Sequence, residues 1–285
     1  IFVQENISLE TKVSLLSQDY QSLCAAMTVN FQGQEYTMPQ MTKFLLSTDR
    51  DLRESAWKAT SARRLKDQEK LDEIFDQMVA LRHQIALNAK CSNYTQYKFK
   101  ALHRFDYTAE DCKQYHKSVE QLLAPLLKEI YLERKKMMGL SVLRPWDVSV
   151  DPLGRESLKP FKDVHQLING CLEIFSKVDS NLGGQFAQMR EMGLLDLESR
   201  KGKAPGGYNS TLDEMRKPFI FMNAVGTDSD VRTLMHEAGH AFHSFATAEI
   251  ALLDYRHGPM EFNEVASMAM ELLGGEYLSV FYNKE

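Results

Sequence analysis

One short stretch of the sequence combines the residue types of a hydrolytic metal centre. His236, Glu237 and His240 form the pattern H-E-x-x-H, which on a helix binds zinc through its two histidines. Because residues i and i+4 share one helix face and lie roughly 6 Å apart, both imidazoles reach the same ion. Glu237 is turned by about 100° from His236. This offset places its carboxylate beside the ion, where it suits a general base acting on metal-activated water.

A catalytic zinc site usually has three protein ligands and one open position, and this stretch supplies two. The longer pattern H-E-x-x-H-x-x-G-x-x-H is absent, since positions 243 and 246 hold His and Ala. We therefore expect the third ligand on the acidic segment 260–273 that follows. Spacing on a helix does not choose among its three candidate carboxylates. These are Glu261, Glu264 and Glu271.

Two stretches carry a specific resemblance to a known family. The run M-H-E-A-G-H-A-F-H at 235–243 and the run P-M-E-F-N-E-V-A-S-M-A-M-E-L at 259–272 resemble the oligoendopeptidase F branch of the thimet-oligopeptidase-like zinc peptidases. In that family the third ligand is the Glu directly before the Val-Ala-Ser step, which maps onto Glu264. The likeness continues upstream through 201–208 and 218–223. It is weaker at 49–57 and covers most of the chain.

The resemblance implies a mainly α-helical, zincin-type catalytic region with one small β-sheet or hairpin. It implies one Zn²⁺ per chain, held by His236, His240 and Glu264. The implied activity is that of a zinc metalloendopeptidase, which hydrolyses internal bonds of short oligopeptides. Glu237 would take a proton from the attacking water and pass it to the leaving amine.

Other residues are expected around this centre. His243 lies about 20° from His236 on the same helix face and is expected near the ligands or the substrate, since a fourth protein ligand would close the site. Glu261 or Glu271 would orient a ligand histidine through its free N–H, although a surface ion pair explains each equally well. A glycine-rich loop and a later histidine are expected to contact substrate: Gly206, Gly207, Tyr208 and His257.

Composition argues against several other classes of function. A net charge of −5 in 285 residues gives no reason to expect nucleic acid, whose binders are typically basic. No apolar run approaches the ~20 residues of a membrane span. The cysteines are scattered without a C-x-x-C pair, which is typical of buried thiols in a reducing compartment. We therefore expect a cytoplasmic protein. The four cysteines are Cys24, Cys91, Cys112 and Cys171.

Apolar spacing predicts helices as the elements that position the site. The longest helical pattern covers 51–89 and is expected to break into two helices. The zinc site is predicted between helices 228–246 and 260–273, with Thr227 and Asp230 in the cap of the first. The apolar run 219–223 is predicted to be a strand. The residues leave two alternatives open, an ordinary buried strand and an edge strand that binds an extended peptide, and the family resemblance favours the edge strand.

Two subdomains are expected from this pattern. Residues 1–140 would form a helical shell with a short hairpin near 24–38, and residues 141–285 would form the catalytic zinc-binding subdomain. The glycine-rich stretch at 201–207 is expected to be a flexible loop.

The family that the chain resembles runs on beyond the Glu helix, and its transition-state-binding Tyr and His residues lie there. We therefore expect the chain to be a fragment whose cleft is completed by a second chain or a missing C-terminal segment. Alone, it would bind zinc but hydrolyse peptides poorly. None of the nearby candidates for the oxyanion donor matches the family's donors: Tyr208, Tyr255, His257 and Tyr277.

Two alternative functions remain open at this point. The first is a non-catalytic or incomplete zinc-binding fragment that acts as the partner-binding half of a larger assembly. An intact H-E-x-x-H argues against a degenerate copy, which has little need of Glu237. The second is a zinc carboxypeptidase or aminopeptidase on the same scaffold, which differs only in what closes the cleft.

Overall fold

The structure is a computed structural model that describes residues 1–282. Helices dominate this part of the chain, so the mainly α prediction is confirmed. The α-helices are α1 Asn6–Ala25, α2 Met38–Met41, α3 Arg50–Leu65, α4 Gln68–Asn88, α5 Tyr94–Ala101, α6 Ala109–Ser118, α7 Ala124–Met137, α8 Val164–Val178, α9 Ser180–Glu191, α10 Asp228–Thr247 and α11 Met260–Gly275.

Short strands form two small sheets within the described residues. The strands are β1 Thr28–Phe31, β2 Gln34–Thr37, β3 Leu195–Glu198, β4 Tyr208–Leu212 and β5 Lys217–Ala224. The pair β1–β2 is the hairpin that the sequence predicts near 24–38, and the other sheet has the order β3-β5-β4. No helix in the described part of the chain combines the length and apolarity that crossing a membrane requires.

The chain divides into two compact units. The first comprises Ile1–Tyr36 and Phe44–Glu156, and the second comprises Thr37–Lys43 and Ser157–Glu285. The predicted functional division into 1–140 and 141–285 stays a prediction.

The first unit is a helical body with a buried ion-pair cluster. Asp147 is fully buried and accepts hydrogen bonds from the guanidinium groups of Arg50 and Arg53. A buried carboxylate is tolerated because its charge is paired and hydrogen-bonded. The predicted break in the pattern at 51–89 occurs between α3 and α4. Pro125 lies in the first turn of α7, after a π-helical turn at Val119–Leu123, where its missing N–H costs nothing.

The second unit contains the candidate site and its own apolar core. Helices α8, α9, α10 and α11 pack with β5 around side chains that are almost completely buried. Alternate residues of β5 are buried, as expected for a strand with one face on the core. The largest fully buried side chains of this core are Leu167, Ile174, Phe175, Phe186, Met189, Ile220, Met222, Leu234 and Met235.

The sheet order corrects the prediction for 219–223. This run lies in β5, which is the central strand: β3 pairs with it in parallel and β4 pairs with it antiparallel. The prediction that it forms an edge strand is therefore wrong. The strand on the edge is β4, which is more polar. A strand's own apolar pattern reports how its faces are buried, whereas its place in the sheet depends on which other strands pair with it.

Candidate metal centre

The helix that carries H-E-x-x-H begins at a strongly hydrogen-bonded cap. The Asp230 carboxylate accepts hydrogen bonds from the backbone N–H groups of Val225, Gly226 and Thr227 at 2.9, 2.8 and 2.7 Å. It also accepts one from the Thr227 hydroxyl at 3.0 Å. These contacts fix where α10 starts and therefore which residues its inner face presents.

A glycine allows the two site helices to come very close together. A methyl group on Gly239 of α10 would lie 2.6 Å from the Cα of Ser267 and 2.8 Å from the backbone oxygen of Ala266, both on α11. Only a residue without a side chain fits at this crossing. Ser267 is fully buried, and its hydroxyl donates to the Glu264 carboxylate at 3.0 Å. The crossing therefore also holds Glu264.

Three side chains from α10 and α11 converge on one point. Ligand atoms of His236, His240 and Glu264 all lie within 4.8 Å of one another. The Nε2 atom of His236 lies 3.2 Å from Oε2 of Glu264, and Nε2 of His240 lies 3.7 Å from Oε1 of the same residue. The two imidazole rings are 5.0 Å apart and nearly perpendicular, at 85°.

These distances fit a shared zinc ion. With ligand bonds of about 2.0–2.2 Å and tetrahedral angles, neighbouring ligand atoms lie roughly 3.3–3.6 Å apart. The distances of 3.2 and 3.7 Å, which end on the two different oxygens of the Glu264 carboxylate, lie close to this range. Two imidazoles and one carboxylate also make a typical catalytic donor set, which keeps a fourth position open.

Both histidines have a second polar neighbour besides Glu264. Nδ1 of His236 lies 2.7 Å from Oε1 of Glu271, and His240 hydrogen-bonds to the backbone of Asn263. Such partners fix the tautomer and the orientation of a ligand imidazole. Burial lowers the pKa of His240, which favours the neutral form that binds metal.

Glu237 is not one of the three converging residues and lies beside them in a buried position. Only 7% of the residue is exposed, and burial raises the pKa of its carboxyl above the usual range, while the charge of His236 acts in the opposite direction. The backbone N–H of Asn209 in β4 lies close to the carboxylate and also acts to lower its pKa. A carboxyl group whose pKa is raised toward neutrality is suited to accept and release a proton.

The loop before β4 is held in place, which differs from the flexible loop that its glycines predict. Lys203 is buried, and its ammonium donates to the backbone oxygens of Asp196 and Glu198, each at 2.9 Å. The amide of Asn223 donates to the backbone oxygens of Ala204 and Gly206 at 2.9 and 3.0 Å. These bonds attach the loop to β3 and β5.

Ionic contacts of Asp196 and close packing of Gly207 also hold this loop. The Arg200 guanidinium and then the Lys203 ammonium lower the pKa of Asp196 to about 2, so this carboxylate stays charged beside the buried lysine. A methyl group on Gly207 would lie 3.3 Å from Cγ2 of Thr233 on α10. The loop therefore passes directly against the helix that carries the histidines.

A polar cavity of about 410 Å³ opens beside the cluster. His243 and His257 line it together with His240 and Glu264. Nε2 of His257 lies 3.5 Å from Oδ1 of Asp213. The two histidines are therefore placed on the open side of the site, where a substrate would approach, and not among the converging ligand atoms.

The structure also shows where the other residues lie that were predicted to bind metal or substrate or to stabilise the oxyanion. Glu261 lies on an exposed part of α11 and is not one of the converging residues. Tyr255 is largely exposed in a short 3₁₀ helix, and Tyr277 packs on the apolar core. Gly206 and Gly207 lie in the tethered loop, where Gly207 packs against α10, and Tyr208 begins β4. All of these assignments to substrate or ligand roles stay predictions.

Four residues that position the site were not singled out from the sequence. Ser267 holds Glu264, the backbone of Asn209 contacts Glu237, and Lys203 with Asn223 holds the loop. A serine or lysine of this kind has no distinguishing sequence pattern. The signal that was available is Gly239 inside the motif, since a glycine in a helix interior destabilises it unless close packing requires it.

Comparison with known proteins agrees with this geometry. The family model described as Peptidase family M3 matches residues 43–285. Oligopeptidase PepF of Bacillus subtilis is 30% identical over 158 residues, which cover 54% of this chain and 22% of the relative. An oligoendopeptidase F homolog of Lactococcus lactis is 30% identical over 148 residues, which cover 52% and 24%.

A solved structure extends the likeness to nearly the whole chain. PZ peptidase A, determined with an inhibitor, superposes with a TM-score of 0.93 and 30% identity over 99% of this chain and 50% of its own. The chain thus covers about a quarter of each of these two curated relatives and half of this solved neighbour.

We expect His240→Ala and Glu264→Gln each to weaken zinc binding by more than the roughly 10–100-fold typical of a residue behind the ligands. Each change removes one of the three converging ligand atoms. Competition with a chromogenic chelator measures the affinity, and Glu261→Gln on the same helix is the matched control. Unchanged affinity in Glu264→Gln, with a loss in Glu261→Gln, would show that the third ligand is assigned wrongly.

We expect Gly239→Ala to destabilise the fold by about 1–3 kcal/mol, as overpacked core substitutions do, and to lower zinc affinity. The added methyl group would force α10 and α11 apart and move Glu264 away from the histidines. Denaturant unfolding and zinc titration measure the two effects. Gly275→Ala is the control, because a methyl group there meets nothing within 4 Å. Equal behaviour of the two variants would contradict the role of the crossing.

Proposed function

Because the chain belongs to peptidase family M3, we propose that it forms the metal-binding part of a zinc metallopeptidase that hydrolyses internal bonds of short peptides. One observation carries the proposal: three ligand atoms from His236, His240 and Glu264 converge within 4.8 Å, beside the buried carboxyl group of Glu237.

In this proposal His236, His240 and Glu264 would hold one Zn²⁺ per chain. When bound, zinc supplies a Lewis acid that polarises a carbonyl group and lowers the pKa of a coordinated water toward about 7. Glu271 keeps the His236 imidazole oriented through Nδ1, and Ser267 does the same for the Glu264 carboxylate.

Glu237 would move the proton. Its carboxylate would take a proton from the attacking water and deliver it to the nitrogen of the leaving amine. Burial, which raises its pKa, brings it closer to the operating range of a general base. Burying a carboxylate costs stability, and this cost favours a catalytic role over a purely structural or partner-binding zinc site.

The edge of the sheet offers a place for an extended peptide. Asn209 directs its backbone N–H to Glu237, and in an antiparallel ladder the N–H and C=O of one residue point to the same side. The backbone C=O of Asn209 and, two residues on, the N–H and C=O of Thr211 would therefore face away from β5 and pair with substrate, as in β-strand addition. Gly206 and Gly207 directly precede this strand, and His257 lines the same cavity as Asn209 and Thr211.

An apolar stripe on α11 supports a further partner. Five large side chains on the helix surface are each more than half exposed, whereas single exposed apolar residues are the usual pattern. We infer that a second chain or a further segment of polypeptide packs against this stripe, next to the proposed metal centre. The five exposed side chains of this stripe are Phe262, Val265, Met268, Leu272 and Leu273.

We expect Glu237→Gln to retain zinc and to lose peptide hydrolysis by at least about 10²-fold, in keeping with the 10²–10⁴-fold contribution of general acid–base catalysis. The amide preserves the size of the side chain but does not accept the proton. Zinc content and initial rates on a quenched peptide measure the two properties. The matched control is Glu249→Gln, since Glu249 is exposed just beyond α10. Full hydrolysis by Glu237→Gln would remove Glu237 from the mechanism.

We expect the active protein to cleave short flexible peptides and to leave folded proteins intact. Pairing with the edge of β4 requires an extended backbone, which a folded protein does not present. A quenched peptide and a stable folded protein that contains the same cleavable stretch are incubated side by side, with zinc-free protein as control. Similar rates on both substrates would favour a general proteinase.

A further inference from the structure

Two aromatic rings lie together on the sheet face that does not pack on the core. Phe221 in β5 lies between the buried residues Ile220 and Met222, and its own side chain is only partly buried. Tyr208 lies directly opposite Phe221 in the β4–β5 register. The two rings stack with centroids 4.9 Å apart and an angle of 14° between their planes.

A buried cation holds the Phe221 ring. The ammonium nitrogen of Lys203 lies 4.4 Å from its centroid, within the range of a cation–π contact. The Lys203 side chain is 1% exposed and pairs with Asp196 at 3.0 Å. Its charge is therefore neutralised within the protein, so the surface beside it presents aromatic carbon and not a positive charge.

The backbone that carries Tyr208 is fixed although its ring is open. Asn223 holds the oxygens of Ala204 and Gly206, and Gly207 packs against Thr233. Tyr208 itself is 49% exposed. An aromatic side chain that is held in place and half exposed offers apolar contact area with little loss of conformational entropy on binding.

The position of Tyr208 relates this surface to the peptide edge. It directly precedes Asn209, whose backbone contacts Glu237. Side chains of neighbouring strands that lie opposite each other point to the same face, and successive side chains alternate between faces. A peptide paired along β4 would therefore place one side chain on the face of Tyr208 and Phe221, next to the residue opposite Asn209.

We propose that Tyr208 and Phe221 form an aromatic shelf that selects an aromatic side chain of the substrate close to the cleaved bond, with Lys203 as a positioning residue. Offset stacking on the exposed part of Tyr208 suits a planar apolar group. An acidic side chain gains nothing from Lys203, whose charge is already paired. This inference rests on the proposed peptidase function and adds a preference to it.

Peptide binding tests the shelf separately from turnover. The zinc-loaded Glu237→Gln chain is titrated with hexapeptides in which each position in turn is Phe or Ser, and calorimetry gives Kd. At one position Phe should bind about 10-fold more tightly than Ser. Adding Tyr208→Ala should reduce this ratio below about 3-fold, whereas Tyr208→Phe should keep it. Tyr115→Ala, a highly exposed tyrosine in the first unit, should leave the ratio unchanged.

The outcomes distinguish a failure of the aromatic shelf from a failure of the proposed peptidase function. A peptide series that binds without any Phe preference, or with a preference that Tyr208→Ala leaves intact, overturns the shelf but not the peptidase function. Failure of the parent chain to bind any peptide, together with failure of the unaltered chain to cleave any, overturns both. The zinc content and the circular dichroism spectrum of Tyr208→Ala are compared with those of Tyr208→Phe. The second variant retains the aromatic ring and must therefore retain the preference for Phe.

Discussion

The close crossing of α10 and α11 is the constraint on which the candidate metal centre depends. Gly239 has no side chain at the helix crossing, where a methyl group would lie only 2.6 Å from Ser267 and 2.8 Å from Ala266. That distance lets a carboxylate of one helix reach two histidines of the other. Protein interiors are packed so densely that one added methyl group disturbs them, so the geometry of the candidate metal centre and the stability of the fold both depend on this residue.

The sheet provides a second constraint, because it decides what lies beside Glu237. With β5 in the centre, β4 becomes the edge strand, and the backbone of Asn209 contacts the Glu237 carboxylate. Lys203 and Asn223 then hold the loop that leads into β4. The surroundings of the Glu237 carboxyl group, the edge strand β4 and the pair of Tyr208 and Phe221 thus all depend on one small sheet.

The prediction from sequence succeeded where local geometry is sufficient. The pairing of His236 with His240 follows from the period of a helix, and Thr227 with Asp230 follows from the chemistry of helix capping. Failures occurred where pairing partners, and not the pattern of the segment itself, decide the structure. The placing of 219–223 at a sheet edge was wrong because β3 and β4 pair with β5 on both of its sides, and the loop at 201–207 is held by hydrogen bonds from Asn223.

The sequence by itself determined that two histidines and a displaced glutamate share one helix, because their relation depends only on the turn per residue. It also restricted the third ligand to a short acidic helix, on which spacing left Glu261, Glu264 and Glu271 equivalent. Only the tertiary structure brought Glu264 to the histidine pair and set Glu271 behind His236. The physical reason is that the rotation of α11 about its axis is set by its packing against Gly239, and no periodicity within α11 contains that information.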